Sequence, residues 1–110
     1  MSDLGNTAHR EIDVAQLAAM MADGTALVVD VREPDEFAQG HIPGAVNLPL
    51  SAFDPAAIPD AAGKTVVLNC LGGKRSGMAL EKCSAAQAAI NTHLAGGFKA
   101  WADSGQPVAG

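Results

Sequence analysis

Apolar and polar positions follow two different periods along this chain. Residues 26–31 (ALVVDV) are apolar except for Asp30, and residues 65–68 (TVVL) form a second short apolar run that leads through Asn69 to Cys70. Continuous runs of this length point to strands buried on both faces. Helical spacing takes over elsewhere. Val14, Leu17, Ala18 and Met21 share one helical face, Asp13 and Gln16 have capping-box spacing, and Gly24 closes the segment. Residues 33–40 (EPDEFAQG) place Pro34 at a first helical position, acids in the first turn and glycine after the last, which predicts a short helix. Residues 41–44 (HIPG) read as a turn, and residues 45–48 as a short strand ended by Pro49. Residues 50–63, with Pro55, Pro59 and several alanines, predict an irregular connection containing a helical turn.

The second half repeats the alternation. Residues 78–90 favour helix, with Leu80, Cys83 and Gln87 at spacings of three and four, so that Cys83 faces the core as a packing residue. A last short strand is expected at residues 90–94. Gly96 and Gly97 then turn the chain into a terminal helix over residues 98–103, anchored by Phe98 and Trp101. Strands alternating with helices through short links predict an α/β domain, a mainly parallel sheet with helices on both faces. The expected division is a polar tail at residues 1–10 and one domain at residues 11–110.

Composition narrows the function. The chain has 110 residues, 48% of them apolar and 17% charged, a balance that suits one globular core. Its net charge of −5 argues against sequence-independent binding to nucleic acid or to an anionic membrane. Residues 1–10 (MSDLGNTAHR) lack the apolar core of a signal peptide, and no apolar run approaches membrane-spanning length, so a cytoplasmic location is expected. In that setting Cys70 and Cys83 are expected to stay reduced. No CxxC and no close His and Cys cluster marks a metal site, and no cofactor is expected. His9, His41 and His93 are scattered, which suggests solvent-facing or structurally hydrogen-bonded roles.

Reactive chemistry concentrates in residues 70–77 (CLGGKRSG). A strand end, two glycines and a helix start meet there at a cysteine. Gly72 and Gly73 are expected to take positive φ angles that aim successive N–H groups inward at one atom, forming an anion cradle. The helix start adds unpaired amides and a positive dipole end, both of which favour a thiolate over a thiol. Lys74 and Arg75 add cations at the rim.

These residues, together with residues 29–49 (VDVREPDEFAQGHIPGAVNLP) and residues 94–107 (LAGGFKAWADSGQP), resemble the single-domain rhodaneses, a sulfurtransferase family. The three blocks occur in the family's order and span nearly everything after residue 10. The resemblance implies a persulfide cycle at Cys70: the thiolate takes the outer sulfur of thiosulfate, sulfite leaves, and cyanide in an assay, or a thiol or partner protein in the cell, takes the sulfur away. It implies Cys70 as the catalytic residue and Leu71, Gly72, Gly73, Lys74, Arg75 and Ser76 as the substrate-binding loop, with Lys74 and Arg75 attracting the dianionic donor. Asp30, Arg32, Glu36 and His41 match another family block and are expected to form a structural polar network rather than catalytic groups. Gln87 and Asn91 depart from the family pattern, which often has a helix-ending glycine and then an apolar strand residue.

Two other readings stand beside this one. Phosphatases and arsenate reductases with a Cys and Arg loop share the general fold, but typically place five residues between the two, whereas four separate Cys70 from Arg75. A non-catalytic docking module of the same family would commonly lack the cysteine that is present here.

Overall fold

The computed structural model describes residues 9–110; residues 1–8, most of the expected polar tail, lie outside the described residues. Strands β1 (Arg10–Ile12), β2 (Ala26–Asp30), β3 (Val46–Asn47), β4 (Thr65–Asn69) and β5 (Thr92–Leu94) form one sheet in the order β1-β5-β4-β2-β3. Every neighbouring pair is parallel. Helices α1 (Val14–Ala22), α2 (Pro34–Gln39), α3 (Lys74–Ala85) and α4 (Gly97–Asp103) connect or follow the strands.

Alternation along β2 and β4 explains why their sequences are apolar throughout. Val28 and Val67 face one side, in a core with Ile12, Leu17, Ile42, Leu94 and Trp101. Val29 and Leu68 face the other, in a core with Val31, Cys70, Ala79, Leu80 and Cys83. The first core therefore holds α1 and α4 and the second holds α3, so helices cover both faces, as parallel sheets require. The irregular segment between β3 and β4 contains two 3₁₀ turns, Leu50–Ala52 and Pro55–Ala57, and lays Leu50, Phe53 and Ile58 against the core that contains Cys70. Among the described residues, no helix is long and apolar enough to cross a membrane.

Local signals acted largely as expected at α1 and α2. Asp13 caps α1 by accepting a 2.8 Å bond from the Gln16 amide, and the Gln16 side-chain oxygen accepts one from the Asp13 amide. Pro34 opens α2, and Gly40 follows its last residue.

One strand and the ends of one helix differ most from the sequence expectation. Strand β1 is unforeseen because residues 10–12 (REI) carry only one apolar side chain; parallel pairing with β5 makes the strand, with the Arg10 amide donating to the Asn91 carbonyl at 2.7 Å. Helix α3 occupies residues 74–85 rather than 78–90. It starts early because Gly73, at φ +103°, serves as its N-cap. It ends early at Gln87, whose φ of +59° is a left-handed conformation that glycine usually supplies at a helix end. The departure at Gln87 is thus met by a strained polar residue and not by a longer helix.

Candidate active site

In a parallel sheet the strand ends converge on one edge, and there β4 delivers Cys70. Asp30 of β2 lies beside Asn69 of β4, and the Val31 amide donates to the Asn69 carbonyl at 2.8 Å, so the last strand residue is held from its neighbour. Cys70 follows with the residue 1% exposed. The chain then turns through residues 71–73 and enters α3 at once.

That turn folds the first amides of α3 back over the sulfur. The Gly73 amide donates to Cys70 Sγ at 3.0 Å, and the Ser76 hydroxyl lies 3.6 Å from the same atom. Burial by itself pushes the Cys70 thiol up. The amides of Ser76, Gly73 and Gly72 and the Ser76 hydroxyl together outweigh it and hold the thiol below its ordinary value. The expected positive φ angles are only half present: Gly73 has one and Gly72 does not, and a Cβ on Gly72 would meet nothing within 4 Å. One left-handed residue suffices because the following residues are already helical.

The early helix start also changes the roles of Lys74, Arg75 and Ser76, which form its first turn rather than a loop. Cations at a helix N-terminus oppose the dipole, so their placement is locally unfavourable. Arg75 is compensated by Glu36 of α2, whose carboxylate accepts two bonds from the guanidinium at 2.7 and 3.0 Å. That pairing, first through its hydrogen bonds, holds Glu36 at about 2 and pushes Arg75 up. Arg75 therefore stands near the sulfur with its charge balanced, while Lys74 is exposed. Leu71 stands 44% exposed at the rim.

A second element, the expected terminal helix with the turn at Gly96 and Gly97 before it, completes the mount. The amides of Phe98 and Lys99 at the start of α4 donate to the carbonyls of Cys70 and Leu71 at 2.7 and 3.0 Å. A Cβ on Gly97 would sit 2.4 Å from the Cys70 oxygen, so only glycine permits this approach. The doubled glycine before Phe98 was the available signal.

Asp30 and Arg32 form one buried pair beside the loop, whereas Glu36 bonds to Arg75 and His41 to Phe37, so the four residues divide among separate partners rather than joining one network. The Arg32 guanidinium donates to both Asp30 carboxylate oxygens, and also to the Gly40 carbonyl at 2.7 Å, while its plane lies 4.4 Å over Phe98. His41 stacks on Phe37 at 3.7 Å, and its Nδ1 lies 2.8 Å from the Phe37 carbonyl. Arg32 and Glu36 also line a cavity of about 330 Å³ with Gln39, Gly40, Leu71 and Phe98. A larger cavity of about 560 Å³ lies at the opposite sheet edge, beside Arg10, Lys64 and Thr65, away from the sulfur.

His93 is the site residue that sequence reasoning missed. It is 6% exposed, and its Nδ1 lies 2.8 Å from the Ser76 hydroxyl. Nothing in the spacing of His93 relative to Cys70 signals this contact; the pairing of β4 with β5 creates it. Cys83, as expected, is a buried packing residue of α3, and both cysteines are free.

Comparison with known proteins agrees with this architecture. The family model described as "Rhodanese-like domain" matches residues 13–104. A protein named "Sulfurtransferase" from Allochromatium vinosum is 35% identical over 99 residues, covering 89% of this chain and 92% of that protein. An uncharacterised Synechocystis protein is 43% identical over 92 residues, covering 84% of this chain; the match spans about half (51%) of that relative's length. A crystal structure of a rhodanese-related protein from Thermoplasma volcanium superposes with a TM-score of 0.77 at 30% identity, covering 92% of this chain and 98% of the other. With the family model and these relatives in agreement over nearly every described residue, the chain belongs to the rhodanese-like domain family.

Proposed function

We propose that the protein is a sulfurtransferase that carries sulfane sulfur on Cys70. The observation that carries this reading is the sulfur's setting: one atom, 3.0 Å from the Gly73 amide and within reach of the Gly72 and Ser76 amides, in a mount that favours the thiolate despite burial. The thiolate attacks the outer sulfur of thiosulfate or of a persulfide donor. With thiosulfate, a new S–S bond forms as the old one breaks, and sulfite leaves with the bonding electron pair. The anionic terminal sulfur of the Cys70 persulfide then draws on the same amides. Attack by cyanide, a thiol or a protein thiolate on that terminal sulfur returns the Cys70 thiolate.

In this reading the backbone of Gly72, Gly73 and Ser76 binds the sulfur, Leu71 forms part of the apolar rim, and Lys74 is the cation that attracts the dianionic donor. Arg75 contributes less to attraction than its formal charge implies, because Glu36 balances it. Four residues rather than five between Cys70 and Arg75 set this loop apart from the phosphatase cradle. Two free thiols suit a reducing cytoplasm.

The test is a thiosulfate-to-cyanide assay followed by intact mass. Turnover together with a gain of about 32 Da, one sulfur atom, on Cys70 is expected. Cys70-dependent hydrolysis of p-nitrophenyl phosphate without thiosulfate turnover would replace the reading with a phosphatase. Absence of both activities would leave a docking module.

A further inference from the structure

Cys70 is 1% exposed, so a proton leaving its sulfur needs a route through the protein. A run of hydrogen-bonding groups supplies one. Cys70 Sγ lies 3.6 Å from Ser76 Oγ, Ser76 Oγ lies 2.8 Å from His93 Nδ1, and His93 Nε2 lies 3.3 Å from a carboxylate oxygen of Glu11. Glu11 is at the surface, its side chain 62% exposed. The run therefore starts at a buried nucleophile and ends in solvent.

Donor and acceptor chemistry fixes its direction. An ionised Glu11 only accepts, so His93 Nε2 carries the hydrogen, and in neutral His93 Nδ1 is left with a lone pair. The Ser76 hydroxyl has one proton and three neighbours: the sulfur, the Gly73 carbonyl at 3.1 Å and the His93 lone pair. When Ser76 donates to His93, its oxygen can accept from the Cys70 thiol. When His93 is protonated, it donates to Ser76 and the hydroxyl is free to point at a thiolate.

We propose that Cys70, Ser76 and His93 form one proton-sharing unit, with His93 as a positioning residue that acts on the sulfur through Ser76. The sulfur's proton passes to Ser76 Oγ as the Ser76 proton passes to His93 Nδ1. The products are a thiolate, an unchanged serine and an imidazolium held against the Glu11 carboxylate, with no net gain or loss of protons. Exchange with water then takes place on the Glu11 side.

Every element packed on His93 is consistent with this. From β1 and the residue before it come Glu11 and His9, the latter edge-on with ring centroids 6.5 Å apart. From β4 comes the apolar Leu68. Helix α3 presents Ser76 and then Gly77, where even an added Cβ would lie 4.0 Å from the ring. The ionisable side chains of α4, Lys99 and Asp103, are exposed and paired with each other. Burial, with the repulsion of His9, lowers the His93 pKa, and the charge and hydrogen bond of Glu11 raise it without making up the difference, so His93 is left below its ordinary value.

The proposal rests on Cys70 being the nucleophile, but its test does not use sulfur transfer. The His93 ring is titrated by NMR in the full chain, in wild type and in Cys70→Ser. A thiolate in the unit should hold the imidazolium proton to higher pH, raising the His93 midpoint in wild type by about one unit over Cys70→Ser. Linkage is reciprocal, so His93→Gln should raise the alkylation midpoint of Cys70 by a similar amount, and Ser76→Ala should remove both shifts. Equal His93 midpoints in wild type and Cys70→Ser overturn the proposal, and this arm holds even if His93→Gln fails to fold. Coupled titration in a protein that takes sulfur from neither thiosulfate nor a persulfide donor would leave the unit standing and overturn the sulfurtransferase reading alone.

Discussion

Cys70 and Cys83 belong to the same core, between α3 and the sheet, and they are 1% and 0% exposed. Burial pushes both thiols up, yet Cys83 is left raised while Cys70 ends below its ordinary value. The difference is the backbone around them. Cys83 lies within α3, where the surrounding N–H groups are committed to the helix's own carbonyls. Cys70 lies just before the same helix, where the first amides have no intrahelical partner and can point at sulfur. One helix thus leaves a raised thiol in its last turn and a lowered one just before its start, and burial does not decide between them.

The strongest way to break this comparison is substitution of each sulfur. Cys70→Ala should abolish sulfur transfer while the domain stays folded, because glycine geometry and backbone amides shape the loop. Cys83→Ala should keep the activity and lose about 1 kcal/mol of stability in urea denaturation. Loss of turnover in Cys83→Ala would show that burial had hidden a second functional thiol.

Next in size is the mount of the cradle. Gly97→Ala forces a Cβ to within 2.4 Å of the Cys70 carbonyl in a left-handed residue at φ +60°, so it should cost about 1–3 kcal/mol and reduce turnover. Gly72→Ala, with open space and no positive φ, should stay within about 0.5 kcal/mol of wild type. Equal losses in urea denaturation for the two variants would show that the loop and α4 are not coupled as the carbonyl bonds indicate.

The thiol shifts themselves sharpen the comparison. Iodoacetamide alkylation against pH should give Cys70 a midpoint below about 8.5, the ordinary free value, and Cys83 in the folded protein a midpoint above it. Two ordinary midpoints would remove the distinction.

The smallest expected effect concerns Arg75. Its partner Glu36 is held at about 2 when folded, against about 4.3 in an unfolded chain, so the pair's contribution is present above the unfolded value and lost as pH falls through the folded one. Both side chains are about one-third exposed (31% and 33%), and solvent screening limits the contribution to about 1 kcal/mol at most. Urea denaturation of wild type and Glu36→Gln should therefore show a stability gap near neutral pH that narrows toward about pH 2. A gap that does not change with pH would assign the role of Glu36 to packing.

Much of this molecule was legible in local sequence. The uninterrupted apolar runs before Asp30 and Asn69 located the two central strands, since strands buried on both faces need no alternation. The conjunction of a strand end, glycines and cations located Cys70. Family resemblance then supplied the sulfur chemistry that spacing alone could not. Other features depended on partners far away in the chain. Residues 10–12 become a strand only because β5 offers an open edge to pair with. Arg75 loses its free charge to Glu36, thirty-nine positions earlier. His93 reaches the sulfur through Ser76 only because β5 lies beside β4 and α3 packs over both. The physical reason is common to all three. Periodicity, caps and turn residues act within a few positions, so the chain itself determines most of its elements and its candidate nucleophile, whereas strand pairing and contacts between distant side chains depend on distances that exist only after the sheet has assembled.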